Sequence, residues 1–166
     1  MKKSIFLITL LMISSLLCGC IMGIMPILDE ESIGNPKTFE KDGLTITLTD
    51  EFEEQESKLG FDAYYVAPFG GVVVTKEEFT LKEGFAEETL EEYIVNVIAN
   101  NGYTDITPQN EDGLWYYDHA SNTSYGRSYC YKGSDAFWIV QFICMPYHEE
   151  QLVDVFHSWA LSVTVE

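Results

Sequence analysis

The sequence is short of basic side chains. Nine Lys and Arg stand against 27 Asp and Glu, a net charge of −18. Nucleic acid is excluded as a partner, because neutralising phosphates takes clustered Lys and Arg. A polybasic grip on anionic lipid is excluded on the same ground. Histidine is scarce as well, with only His119, His148 and His157. The chain holds no Gly-x-Gly-x-x-Gly turn, phosphate loop, His-Glu-x-x-His, Gly-x-Ser-x-Gly or calcium loop. The sharp signatures of nucleotide, zinc-protease, hydrolase and calcium chemistry are therefore missing. The apolar stretch Ile5–Leu17, broken by Thr9, Ser14 and Ser15, is too short to cross a bilayer, which takes about 20 residues. Aromatics are not lacking: ten Tyr, ten Phe and three Trp argue for a packed core and against disorder.

What the N-terminus does hold is a secretory signal. Met1-Lys2-Lys3 is a short positive start, the stretch above is its apolar core, and small residues follow. Leu17-Cys18-Gly19-Cys20 resembles the lipobox of bacterial lipoproteins. That resemblance implies cleavage before Cys20 after a diacylglycerol joins its sulfur. Cys18 is a poorer acceptor, since Leu16 and Leu17 precede it where a small residue is wanted. The alternatives are an ordinary signal peptide cut elsewhere or an uncleaved anchor. Residues 1–19 carry two lysines and no acid, so their loss takes the net charge to −20. Such acidity favours solubility and mutual repulsion at a crowded surface, and can also attract cations or a basic protein face. The lipid would do the anchoring, on the extracytoplasmic face of the cell membrane, and two or three acyl chains hold stably.

The remaining chain reads as a tether, residues 20–37, and one domain, residues 38–166, a suitable size for a single core. The tether holds Gly23, Pro26, Gly34, Pro36 and the acidic run Asp29-Glu30-Glu31, with no periodicity. In the domain, Lys41-Asp42-Gly43 is a hairpin turn before the alternating strand Leu44–Leu48. Phe52 is a plug at the sheet edge. Asp62–Ala67 and Gly71–Glu77 are two strands joined by the turn Pro68-Phe69-Gly70. Thr89-Leu90-Glu91-Glu92 is a capping box. It opens a helix whose apolar stripe is Leu90, Tyr93, Ile94, Val97 and Ile98, ended by Asn100-Asn101-Gly102. A strand is expected over Tyr103–Thr107, a turn at Asn110–Gly113, then a meander of Leu114–Ala120, Ser124–Tyr131 and Ala136–Cys144. The last strand is almost wholly apolar and so central and covered on both faces. A second helix is expected from Tyr147 to Ala160, and an edge strand over Leu161–Val165.

Exported cysteines can pair. With Cys18 removed and Cys20 lipidated, Cys130 and Cys144 remain. A turn at Lys132–Asp135 sets Cys130 opposite Phe137 and leaves Cys144 roughly 23 Å further along. A disulfide needs Cα atoms within about 7 Å, so two buried thiols are expected.

This order resembles the PsbP-like family. The likeness rests on Gly43–Leu48 followed by an acidic segment with Phe52, the helix led by Thr89, the aromatic meander, and the last helix with Phe156 and Trp159. A cystatin-like α+β sheet shares much of the pattern. The resemblance implies an α+β fold, an antiparallel sheet flanked by two main helices, and accessory, assembly or binding roles without a common catalysis.

Three sets of residues are candidates for chemistry. Glu150, Asp154 and His157 stand at helical spacing and can bind a metal such as zinc, or form a solvated polar face. Asp118-His119 is a strand-end pair. Trp115, Tyr117, Tyr125, Tyr129, Tyr131 and Trp138 can line a ligand cleft, with Arg127 as an anion contact, or pack as cross-strand pairs. The leading reading is a non-catalytic accessory lipoprotein that binds another envelope protein, with no cofactor beyond the lipid on Cys20. A small-ligand or divalent-cation receptor is the alternative, and an envelope hydrolase the third.

Overall fold

The computed structural model of the chain describes residues 33–56 and 60–166. The expected lipobox and most of the expected tether lie outside those residues. The described chain is α+β, with ten strands, two helices and short 3-10 turns. The strands are β1 (Pro36–Lys41), β2 (Leu44–Thr49), β3 (Glu53–Glu54), β4 (Ala63–Ala67) and β5 (Gly70–Glu78), then β6 (Gln109–Glu111), β7 (Leu114–Ala120), β8 (Tyr125–Lys132), β9 (Ala136–Cys144) and β10 (Thr164–Val165). Helix α1 is Leu90–Asn100 and α2 is Glu149–Leu161.

Two antiparallel sheets form. The larger has the order β3-β4-β5-β9-β8-β7-β6, and the smaller β1-β2-β10. β9 is the middle strand of seven, and all nine of its residues are buried. That is the placement its continuous apolar run demands. One face of the large sheet packs against α2 and β2, through Phe142, Val140 and Trp138 against Leu152, Phe156, Trp159, Leu44, Ile46 and Leu48. The other face packs against α1, through Phe137, Ile139, Cys130 and Tyr117 against Tyr93, Ile94, Val97 and Ile98.

Local chemistry explains the helices. The Thr89 hydroxyl accepts from Glu92 N at 3.2 Å, and the Glu92 carboxylate accepts from Thr89 N at 2.8 Å. Two otherwise orphaned donors are satisfied at once. Tyr93 then stacks on Phe137, with centroids 4.1 Å apart, and its hydroxyl donates to Glu77 at 3.0 Å. Burial raises the Glu77 carboxyl above its ordinary 4.5, and the Tyr93 hydrogen bond opposes that only in part. The folded state thus holds the proton more tightly than the unfolded chain. Stability from this group is fullest below its ordinary value and declines as pH rises through the raised one. Glu77→Gln is therefore expected to raise the melting temperature at pH 7. The gain should disappear in melts below about pH 4.5; a gain equal at both pH values would remove the titration argument.

Several expectations need correction. Tyr103–Thr107 is not a strand: Tyr103 and Ile106 lie in a loop and pack on the α1 cluster. The strand begins after Pro108, at Gln109, and pairs with β7 around a two-residue turn. Asp112 and Gly113 take that turn, with φ of 52° and 83°, as a tight hairpin requires. β1 starts at Pro36, within the expected tether. α2 starts two residues late because Pro146–His148 forms a 3-10 turn first. The closing strand is only Thr164–Val165. Cys130 stands opposite Ile139, not Phe137. The β8–β9 turn is displaced by one residue, which moves the register by two and preserves the faces. Cys130 and Cys144 are free and buried. They belong to the clusters on opposite faces of the sheet.

Candidate functional site

The densest group of polar side chains lies where β7 and β8 pass beside α2. Tyr125, Arg127 and Tyr129 alternate along β8 and so share its α2 face. Asp118 is the cross-strand partner of Arg127. The pair is bidentate, with Nε to Oδ1 at 2.7 Å and Nη2 to Oδ2 at 2.9 Å. The Tyr125 hydroxyl donates to the same Asp118 Oδ1 at 2.8 Å. The guanidinium carbon lies 4.4 Å from the Tyr116 ring centroid, a cation–π placement. Burial works against the Arg127 charge, but the Asp118 carboxylate more than offsets it, so the guanidinium is held firmly protonated.

A second chain of contacts adjoins it. Tyr129 Oη and His157 Nδ1 are 3.1 Å apart, and His157 Nε2 lies 3.2 Å from Asp112 Oδ2. A neutral imidazole satisfies both: Nε2–H donates to Asp112, and Nδ1 accepts from the phenol. Carboxylate, imidazole and hydroxyl thus stand in the order used by general-base relays. The hydroxyl is the wrong one for that chemistry. Burial pushes the Tyr129 phenol up to about 12, with Arg127 opposing, and the side chain is fully buried. An activated nucleophile needs a depressed pKa or an accessible base. What the arrangement does is tie α2 and the β6–β7 turn to β8.

The thiols are no better placed. Burial raises Cys130 strongly and Cys144 to about 12, so neither is a thiolate at neutral pH.

The sequence-derived candidates fall as follows. Tyr125, Tyr129 and Trp138 are core residues, 3%, 0% and 1% exposed. Arg127 is engaged by Asp118. Trp115 and Tyr117 pack on the α1 side, whereas Tyr125, Tyr129, Tyr131 and Trp138 pack on the α2 side. The six rings therefore share no single cleft. Glu150 and Asp154 are exposed on α2, while both ring nitrogens of His157 are directed to Tyr129 and Asp112. Among the described residues no three His, Cys, Asp or Glu side chains converge as a metal set would. Asp118 and His119 do not act as a pair, because consecutive strand residues point to opposite faces. His119 lies on the α1 side, where its ring crosses Gly126 and its Nε2 is 2.9 Å from Gln141 Nε2. A Cβ at Gly126 would fall 2.2 Å from the His119 ring, so only glycine admits this crossing. Burial keeps the His119 imidazole pKa below its ordinary value.

Asp112 was missed as a partner. Its Asp-Gly dipeptide signals a turn, and nothing local indicates that the turn reaches a helix 45 residues on. Cys20 lies outside the described residues.

No family model matches the sequence, and no curated protein matches it. The solution structure of cyanobacterial PsbP (CyanoP) from Synechocystis sp. PCC 6803 is similar, with 12% sequence identity and a TM-score of 0.55. The match covers 87% of this chain and 100% of that one. At that identity the likeness is one of fold, and the chain has a PsbP-like α+β architecture.

Proposed function

We propose that this chain is a lipid-anchored, non-catalytic accessory domain on the extracytoplasmic face of a bacterial membrane, where it binds another envelope protein. The observation that carries the reading is Leu17-Cys18-Gly19-Cys20 placed directly after a short apolar core. Two further facts support it. The domain has a PsbP-like fold, and the polar side chains between β7, β8 and α2 are spent on joining strand to strand and helix to sheet.

Two measurements test the two halves. Cells fed a clickable palmitate analogue are expected to label the wild-type chain and not Cys20→Ala. Equal labelling of both would overturn the anchor. In-cell crosslinking of the lipidated chain is expected to give a discrete heteromeric band that Cys20→Ala weakens several-fold. Only monomer, at every crosslinker length, would overturn the partner.

A further inference from the structure

Helix α1 covers only part of its face of the large sheet. On β9 its cluster takes Phe137 and Ile139 and stops there. The same strand face continues through Gln141 to Ile143, by the alternation of a strand. Ile143 is paired with Gly71 on one side and Gly126 on the other, and Gln141 with Val73. Val73 and Ile143 are each 3% exposed, yet neither belongs to the cluster under α1 or to that under α2. Side chains on a sheet stand perpendicular to it, so glycine neighbours give Ile143 no cover. Two rings border it instead. The His119 ring lies over Gly126, and the Tyr64 ring edge is 3.8 Å from where a Cβ on Gly71 would stand. Ile143 and Val73 are thus the floor of a slot between β5 and β8, two strand spacings or about 10 Å wide. The loop that follows α1 sits to the side, with Tyr103 stacked 6.0 Å from His119.

The described chain begins beside this face. Asn35 N donates to Asp50 Oδ1 at 2.7 Å, and Asp50 N donates to Asn35 O at 2.8 Å. Glu53, three residues beyond Asp50, opens the edge strand β3. The register runs from Glu53 to Val66, Gly71 and Ile143 in one row. Asp50 to Glu53 is at most about 10 Å, and β3 to β9 is three strand spacings, about 14 Å. The seven residues from Leu28 to Asn35 cover roughly 24 Å when extended. Residues 21–28, Ile-Met-Gly-Ile-Met-Pro-Ile-Leu, therefore reach the slot. They carry no charge, in a chain of net charge −18. The slot matches them: Tyr64, Val66, Gly71, Val73, Gln141 and Ile143 include no ionisable carboxylate or cation.

We propose that residues 21–28 of this chain dock in the slot, with Ile24, Ile27 and Leu28 covering Val73 and Ile143 between the Tyr64 and His119 rings. The driving force is burial of apolar surface on both sides. A segment joined to its site by a short stretch of the same chain meets it at millimolar effective concentration, which favours it over a separate molecule. The docking depends on these side chains and not on acylation of Cys20, so it stands apart from the anchor proposed above.

The test uses the full chain in intact cells, with the photo-crosslinking residue benzoylphenylalanine in place of Ile27. Ultraviolet light is expected to join position 27 to peptides of β4, β5 or β9 within the same chain, as mapped by mass spectrometry. Crosslinks confined to lipid, to a second copy or to another protein would overturn the docking. Thiol labelling gives an independent reading. Val73→Cys places a thiol on the slot floor, and the native Cys130 and Cys144 are buried. Maleimide is expected to modify position 73 several-fold faster when Ile24→Asp and Ile27→Asp are added, with Cys130 and Cys144 still unmodified as evidence of an intact fold. An unchanged rate at position 73 would overturn the proposal, because the cover would then come from elsewhere.

Discussion

Trp159→Ala is expected to cost about 3–5 kcal/mol of folding stability, the range for removing a large buried ring. Trp159 sits where four parts of the fold meet. Its ring centroid lies 5.3 Å from Phe52, which leads out of the small sheet, and 6.4 Å from Phe69 in the β4–β5 turn. It lies 6.1 Å from Phe142 on β9 and 5.9 Å from Phe156 on its own helix. Aromatic pairs add to the area term when they meet edge-on or offset, and Phe52 meets Trp159 at 87°. The indole is 7% exposed, so alanine leaves a void walled by rigid rings that collapse poorly. The melting temperature should fall by roughly 10 °C, at about 2–4 °C per kcal/mol for a domain of this size. Urea denaturation checks it. A loss under about 1 kcal/mol would mean that the neighbouring rings fill the space and that the hub assignment is wrong.

The second large effect is expected at Arg127. Arg127→Met keeps the volume but strands the Asp118 carboxylate, which then has only the Tyr125 hydroxyl. Removing one partner of a buried pair costs about 3–5 kcal/mol. The Arg127 side chain is 11% exposed and that of Asp118 30%, so water reaches the acid and the expectation is the lower end, about 3 kcal/mol. The double variant Arg127→Met with Asp118→Leu should recover most of the loss, since an apolar pair replaces a buried ion pair at little cost. Equal losses in single and double variants would point to packing around Tyr116 instead of the stranded charge. A single-variant loss below about 1 kcal/mol would place the pair with ordinary surface ion pairs.

Much of the fold was legible because local rules governed it. The α1 helix carries both its capping box and its stripe within a dozen residues. β9 declares itself by an unbroken apolar run. The β1–β2 hairpin follows from an Asp-Gly turn beside alternating Thr and Leu. The site was less legible. Glu150, Asp154 and His157 share helical spacing, which made them look like one set. Spacing says which side chains share a helix face, not what lies beneath it, and the sheet draws His157 inward to Tyr129 while Glu150 and Asp154 stay in water. Asp118 and His119 are adjacent in sequence and belong to opposite faces of the sheet.

The sequence by itself determined composition, charge, most element types and which residues alternate toward a common face. These depend on covalent neighbours and on the periods of strand and helix. Only the tertiary structure decided that β2 leaves the main sheet to pair with β10, that Cys130 and Cys144 lie on opposite faces, and that Asp112 meets His157. Each of those joins residues far apart in the chain. Such contacts are selected by the packing of whole layers and by a register that a single turn residue can move by two.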